Sequence, residues 1–278
     1  MERQPSQFAV FGWPIAHSLS PRIHQRFAQA CGIDLRYEAV AVEASQFDVR
    51  LASFHATGGR GANVTLPLKE QAARLCRDLT PPARLSGAVN TLVRRDDGWL
   101  GDNTDGIGLC RDLQDNLGVP LAGLRVLLLG AGGAARGIVP ALFDAGVAEL
   151  VVANRSPARA IALAYDLAGC GPIDACALET LDDAGRFSVL INATSAARQG
   201  VSLALSQRLP APGAVAYDLS YGESAQPFLA WARASGVDRC SDGLGMLVEQ
   251  AAESFQRWHG QRPQTRPVLD ELRGERGA

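Results

Sequence analysis

Short apolar runs alternate along the chain with longer stretches in which apolar residues recur every three or four positions. The first pattern predicts buried strands and the second amphipathic helices. Phe8-Ala9-Val10-Phe11 opens the series as a strand. Ile23, Phe27 and Cys31 then mark a helix stopped by Gly32, with Ser20 as its N-cap and Pro21 at its first position. Tyr37 to Val42 predicts a second strand, and Phe47, Leu51 and Phe54 a helix ending near Gly58-Gly59. From Gly61 a short strand breaks at Pro67 into a helix whose first turn holds Lys69. Ser86 to Val93 reads as the next strand, turned by Asp96-Asp97-Gly98 into Trp99-Leu100 as a hairpin, and Ile107 to Leu117 as a helix.

The second half is more regular. Val126-Leu127-Leu128-Leu129 runs straight into Gly130-Ala131-Gly132-Gly133-Ala134-Ala135-Arg136 and a helix over 133–145. Leu150-Val151-Val152-Ala153 follows at βαβ distance, and Ile161, Leu163 and Leu167 belong to the helix after it. Ser188 to Asn192 and Val215 to Leu219 are strand-like, with a helix from Pro227 to Ser235 before Val237. A last long helix starts at Gly243 and carries Leu247, Ala251, Phe255 and Trp258 on one face, with Gln250 off that stripe. A short helix from Val268 to Arg273 and a frayed tail close the chain. This alternation predicts an α/β protein with a parallel sheet covered on both faces.

Composition narrows the class. The length of 278 residues suits two domains, and 47% hydrophobic with 20% charged residues suits a globular enzyme. A net charge of −2 gives no field for nucleic acid or an anionic membrane. The six cysteines include no C-x-x-C pair and sit mostly in apolar periodic segments, as reduced core thiols do. The N-terminus has no apolar signal core, and no uncharged apolar run reaches the ~18 residues of a membrane span. A cytoplasmic location is the default expectation.

Candidate chemistry begins at the glycines. Gly130, Gly132 and Ala135 form G-x-G-x-x-A between a strand and a helix. The first glycine permits the turn, the second lets a pyrophosphate approach the backbone, and the small third residue lets helix and strand pack closely. The helix start would hold the phosphates on its unpaired N–H groups. At the end of the second strand, where an NAD site places an acid, stand Asn154-Arg155-Ser156, with Arg159 one turn on. Two guanidiniums and no acid suit the 2′-phosphate of NADP.

Three further polar groupings stand out. Ser18 and Ser20 flank one residue beside a helix start and could bind a carboxylate, although Ser20 also serves as a cap. Asn63, Thr65 and Lys69 cluster at a strand-to-helix junction, where a lysine faces the unfavourable positive end of a helix. Such local conflicts gather at functional sites. Asp102-Asn103-Thr104-Asp105-Gly106 precedes another helix and reads equally as a site or as ordinary turn and capping chemistry. His17 and His24 have no carboxylate or cysteine at ligand spacing, so no metal site is expected.

Taken together, these segments resemble the shikimate dehydrogenase family from Phe8 to about Gly260. The matching pieces are His17 to Pro21, Asn63 to Lys69, Gly87 to Thr91, Asp102 to Gly106, Gly130 to Arg136, Asn154 to Ser156, Asn192 to Ser195 and Asp242 to Leu247, in the family's order. The resemblance implies an N-terminal α/β substrate domain with a mixed sheet (1–105 and 243–278) and an inserted Rossmann-type NADP domain with a doubly wound parallel sheet (106–242). It implies reversible NADPH-dependent reduction of 3-dehydroshikimate to shikimate, in chorismate and aromatic amino acid biosynthesis. It assigns Ser18 and Ser20 to the substrate carboxylate. Asn63, Thr65, Lys69, Asn90, Asp105 and Gln250 go to the ring hydroxyls and reacting carbonyl, with Lys69 and Asp105 catalytic. Tyr221 and Gly243 lie near substrate and nicotinamide. Cofactor contacts fall to Gly130, Ala131, Gly132, Gly133, Ala134, Asn154, Arg155, Ser156, Arg159, Thr194, Leu219 and Gly243. After Ser195, Ala196 to Gln199 intervene before the glycine the family usually has sooner. Monomer and homodimer both stay open. So do a relative with broader quinate/shikimate specificity and a non-catalytic NADP-binding sensor on the same fold; a sensor has no need of both Lys69 and Asp105.

Overall fold

The computed structural model describes residues 5–195 and 203–277, so the departure at 196–199 lies outside the described residues. The chain divides into two units, Met1–Gly108 with Leu247–Ala278, and Leu109–Met246.

The first unit runs β1 (Ser6–Gly12), α1 (Ser20–Cys31), β2 (Leu35–Ala41), α2 (Phe47–Ala56), β3 (Gly61–Val64), α3 (Lys69–Leu75), β4 (Asp78–Leu79), α4 (Pro81–Ser86), β5 (Thr91–Arg95) and β6 (Gly98–Asp102). Its sheet has the order β2-β1-β3-β5-β6-β4. β1 is parallel to β2 and β3, whereas β5 is antiparallel to both its neighbours, β3 and β6, so the sheet is mixed. Phe11, Val64 and Leu92 bury one face against Phe47 and Leu51 of α2 and Leu68 at the entry to α3. On the other side Phe8 meets Trp258, whose indole N–H donates to the Leu92 carbonyl at 2.9 Å. A Cβ on Gly61 would lie 2.3 Å from that indole nitrogen, so only glycine lets the aromatic ring seat on β3.

Two local expectations change here. Ser86 does not begin a strand but ends α4, which Pro81 starts and Gly87 stops at φ 64°. Ala88 and Val89 form a buried link, and extended pairing begins only at Thr91. Nor is Ser20 an N-cap. Leu19 is already in the α region, no side chain caps that residue, and Ser20 is the helix's first residue.

The second unit begins within α5 (Asp105–Arg111), which widens into a π-helical turn at Asp112–Asn116 rather than running on as α-helix. There follow β7 (Arg125–Leu129), α6 (Gly133–Asp144), β8 (Glu149–Asn154), α7 (Pro157–Asp166), β9 (Ile173–Ala177), β10 (Phe187–Asn192), β11 (Pro210–Asp218), α8 (Gln226–Ala234) and β12 (Arg239–Ser241). All neighbours in the order β12-β11-β10-β7-β8-β9 are parallel, a doubly wound sheet that reverses direction at β7. Alternate residues bury opposite faces, with Leu127, Leu129, Val151 and Leu190 in one core and Val126, Leu128, Val152 and Ile191 in the other. That double burial is why these strands read as continuous apolar runs. Truncating Leu128 to alanine in so packed a layer would cost about 2–5 kcal/mol.

The chain ends with α9 (Leu244–His259) and α10 (Arg266–Gly277), the latter longer than the expected Val268–Arg273. The long helix has no single apolar stripe: Glu249, Gln250, Glu253 and Ser254 are buried along with Val248, Ala251, Ala252 and Phe255. No helix among the described residues is long and apolar enough to cross a membrane.

Candidate active site

The first unit gathers a polar cluster where β3 and β6 end and β5 begins. β3 is continued by Thr65, whose N–H donates to the Phe11 carbonyl at 2.9 Å, and then Leu66-Pro67 turns the chain into α3. A Cβ on Gly12 would stand 2.4 Å from the Thr65 methyl, so the glycine lets this threonine approach β1. Lys69 is the first residue of α3 and Asp105 the first of α5. The helix dipole favours the carboxylate at such a terminus and disfavours the ammonium.

Opposite charge resolves the conflict. Lys69 Nζ donates to Asp105 Oδ2 at 2.5 Å, with side chains only 11% and 6% exposed. The other carboxylate oxygen accepts Asn90 Nδ2 at 2.8 Å. The Asn90 carboxamide cannot be reversed, because its oxygen accepts the Thr104 backbone N–H at 2.8 Å. Gln250 Oε1 takes a further bond from Asn90 Nδ2 at 3.2 Å. The approach of α9 depends on Gly108, where a Cβ would sit 2.7 Å from the Gln250 backbone nitrogen. Five expected residues, Thr65, Lys69, Asn90, Asp105 and Gln250, thus stand in one unit, the last four linked directly by hydrogen bonds. A buried acid–ammonium pair beside a carboxamide is suited to exchange a proton with an oxygen placed against it.

Ser18 Oγ accepts the Ser20 backbone N–H at 3.3 Å, so the local bond belongs to Ser18, while Ser20 is buried. Asn63 is also committed internally: its oxygen accepts the Tyr37 hydroxyl at 2.7 Å, and its nitrogen lies 2.9 Å from Ser254 Oγ and 3.1 Å from the Asn90 carbonyl. Tyr37 stacks on His24, with ring centroids 4.4 Å apart. Among the described residues neither His24 nitrogen has a partner within hydrogen-bond geometry, and burial pushes this imidazole down to about 3.

The second unit supplies a phosphate cradle. Gly130 has φ 106°, and a Cβ there would crowd the Ala193 carbonyl at 3.1 Å. At Gly132, which precedes α6, an added Cβ would meet nothing within 4 Å among the described residues. Ala135 is fully buried against the strand, while Ala131 is buried and Ala134 half-buried in the same turn. After β8, Asn154 Nδ2 donates to the Ser156 carbonyl at 3.0 Å and shapes the turn into α7. Arg155, Ser156 and Arg159 are exposed, whereas Arg136 is engaged by Asp166 at 2.5 Å. These features fit a dinucleotide bearing a 2′-phosphate.

At the ends of β10 and β11, Asn192 ties two loops. Its oxygen accepts the Thr194 hydroxyl at 2.7 Å, and its nitrogen donates to Asp218 Oδ2 at 2.7 Å. Burial pushes the Asp218 carboxyl up to about 6. Leu219 N–H donates to the Asn192 carbonyl, and a Cβ on Gly243 would lie 2.3 Å from the Leu219 oxygen, so glycine is required there. Tyr221 is half-buried just after β11. Sequence spacing gave no sign of Ser254 and left Thr104 in a run that read equally as site or turn; both are buried with Thr91 in the polar cluster of the first unit. Thr91 reads as an ordinary strand residue, and Ser254 lies far along the chain.

Known proteins resemble this chain along most of its length. A model of the shikimate dehydrogenase substrate binding domain matches residues 10–92, one of shikimate / quinate 5-dehydrogenase matches 112–219, and one of the shikimate 5'-dehydrogenase C-terminal domain matches 243–273. The chain is 54% identical over 270 residues to shikimate dehydrogenase (NADP(+)) of Xanthomonas campestris pv. campestris, covering 96% of this chain and 95% of that protein. Among solved structures, an Ael1 enzyme from Pseudomonas putida is 43% identical with a TM-score of 0.87, covering 96% of this chain and 98% of that one. Shikimate 5-dehydrogenase from Thermus thermophilus, in complex with NADP(H) and shikimate, is 35% identical with a TM-score of 0.84 and the same coverage.

Proposed function

The chain belongs to the shikimate dehydrogenase family, and on that premise we propose that it reversibly reduces 3-dehydroshikimate to shikimate with NADPH, in the route to chorismate and aromatic amino acids. The buried Lys69–Asp105 pair carries this reading. NADPH, when bound, supplies the hydride. As the carbonyl carbon takes it, charge develops on the carbonyl oxygen, which must gain a proton. Lys69 Nζ gives that proton, and Asp105 aims the ammonium and returns its charge balance. In the oxidative direction the same pair takes the hydroxyl proton.

The remaining residues bind. Ser18 and Ser20 receive the substrate carboxylate at the start of α1, while Thr65, Asn90 and Gln250 hold ring hydroxyls. Asn63 supports this set through its neighbours. The N–H groups at the head of α6 receive the pyrophosphate beside Gly130, Ala131, Gly132, Gly133 and Ala134. Arg155 and Arg159, with Asn154 and Ser156, receive the 2′-phosphate. Thr194, Leu219, Tyr221 and Gly243 line the nicotinamide end. A sensor without catalysis would gain nothing from burying an ammonium against a carboxylate, which argues for an enzyme. Six free cysteines suit the reducing cytoplasm. Initial rates with shikimate and quinate, each with NADP and NAD, test the proposal: shikimate with NADP should be fastest. A chain that binds NADP and oxidises neither acid would be a sensor, and equal rates on both acids would make it the broader enzyme.

A further inference from the structure

Behind the reacting pair, on the side away from Lys69, three hydroxyls close a triangle. Thr91 Oγ1 lies 2.7 Å from Ser254 Oγ and 3.3 Å from Thr104 Oγ1, and Thr104 Oγ1 lies 3.3 Å from Ser254 Oγ. The three come from β5, the entry to α5 and the middle of α9, and none is more than 1% exposed. Each hydroxyl brings one proton, and the surrounding acceptors are few. Thr91 Oγ1 donates to Asn90 Oδ1 at 2.9 Å, while Thr104 and Ser254 each reach the Gln250 carbonyl at 3.1 Å. Asn63 Nδ2 donates into the triangle at Ser254, 2.9 Å away.

We propose that Thr91, Thr104 and Ser254 are positioning residues that hold the Asn90 carboxamide in the one orientation that serves Asp105. The argument is one of donors and acceptors. Asp105 Oδ1 accepts only, so Asn90 must show it the NH2 group. A reversed carboxamide would set oxygen against carboxylate and loosen the acid that Lys69 leans on. Thr104 N–H and Thr91 O–H both donate to Asn90 Oδ1, which fixes the nitrogen towards Asp105. Ser254 keeps the Thr91 hydroxyl on its bearing and ties α9, with Gln250, to the same point. The triangle touches no reacting atom; it acts through Asn90.

This inference rests on the dehydrogenase reading, and the test separates the two. Thr91→Val keeps the shape and removes the hydroxyl, and Thr91→Ser keeps the hydroxyl. Shikimate oxidation by NADP is followed for wild type, both variants and Ser254→Ala, with thermal midpoints measured alongside. Thr91→Val and Ser254→Ala should lower kcat about tenfold, the rate equivalent of one neutral hydrogen bond lost in the transition state. KM for shikimate should move less than about twofold, and Thr91→Ser should restore kcat. A Thr91→Val enzyme with wild-type kcat, or a Thr91→Ser enzyme as slow as the valine variant, overturns the positioning role while leaving the dehydrogenase intact. A wild type inactive on shikimate overturns both.

Discussion

Replacing Asp105 with asparagine exchanges one heavy atom and keeps the shape, yet the structure gives it no satisfactory orientation. In the native protein each carboxylate oxygen accepts from a donor, Oδ2 from the Lys69 ammonium at 2.5 Å and Oδ1 from Asn90 Nδ2 at 2.8 Å. An amide has one acceptor oxygen. If it faces Lys69, its NH2 opposes the NH2 of Asn90; if it faces Asn90, its NH2 opposes an ammonium. The loss is one hydrogen bond to a charged group, roughly 1.5–3 kcal/mol, with an unpaired ammonium left at 11% exposure. The expected outcome for Asp105→Asn is a kcat about 10²-fold lower, equivalent to about 2.7 kcal/mol, and a lower thermal midpoint. Adding Lys69→Met removes the stranded charge, so the double variant should regain stability without regaining activity. The assay is NADPH formation from shikimate, with thermal unfolding of all four members of the cycle. A single variant with native kcat and native midpoint, or a double variant less stable than the single, would refute this account of the pair.

Cofactor choice, substrate anchoring and acid stability give three further expectations. Arg155→Ala should raise KM for NADP by about 10–100-fold, one charged bond to the 2′-phosphate, with NAD kinetics unchanged; equal losses on the two cofactors would show that the arginine does not read the phosphate. Ser18→Ala should weaken shikimate but not an analogue lacking the carboxylate, measured as inhibition constants, and equal weakening of both would leave Ser18 only its bond to the Ser20 N–H. His24 titrates near 6.5 when unfolded and about 3 when folded. The unfolded chain therefore binds the extra proton in that window, and stability falls with falling pH by up to about 1.4 kcal/mol per unit. Asp218, raised from 3.8 to about 6, has the opposite sign and loses stability as pH rises through that range. His24→Phe, which retains an aromatic ring against Tyr37, should accordingly be less acid-labile than wild type between pH 6 and 4; parallel pH–stability curves would contradict this.

Much of the fold is visible in the sequence because burial is two-sided in the nucleotide unit. β7, β8 and β10 are covered on both faces and so spell out unbroken apolar runs. β9 and β12 escape notice because they are the edges of that sheet, where Asp174, Arg239 and Ser241 interrupt short pairings. Ser86 to Val93 misleads for another reason. Ala88 and Val89 are apolar because they are buried, not because they pair, and the two prolines and Gly87 that bound α4 carry the better signal. The Lys69–Asp105 pair is legible as a conflict, a lysine at the wrong end of a helix. Its resolution by an acid 36 residues on is a tertiary fact. Gln250 and Ser254 lie one turn apart on a helix buried nearly all round, so no periodicity separates their polar duty from core packing.

The central claim, that the Lys69–Asp105 pair moves the proton in a hydride transfer to the carbonyl of 3-dehydroshikimate, is tested most directly by Lys69→Ala under saturating NADP. Removing a positioned acid should lower kcat by ~10²–10⁴-fold while KM for shikimate changes far less. A variant that keeps most of its kcat while KM rises sharply would contradict the account, making Lys69 a binding group and placing the acid elsewhere.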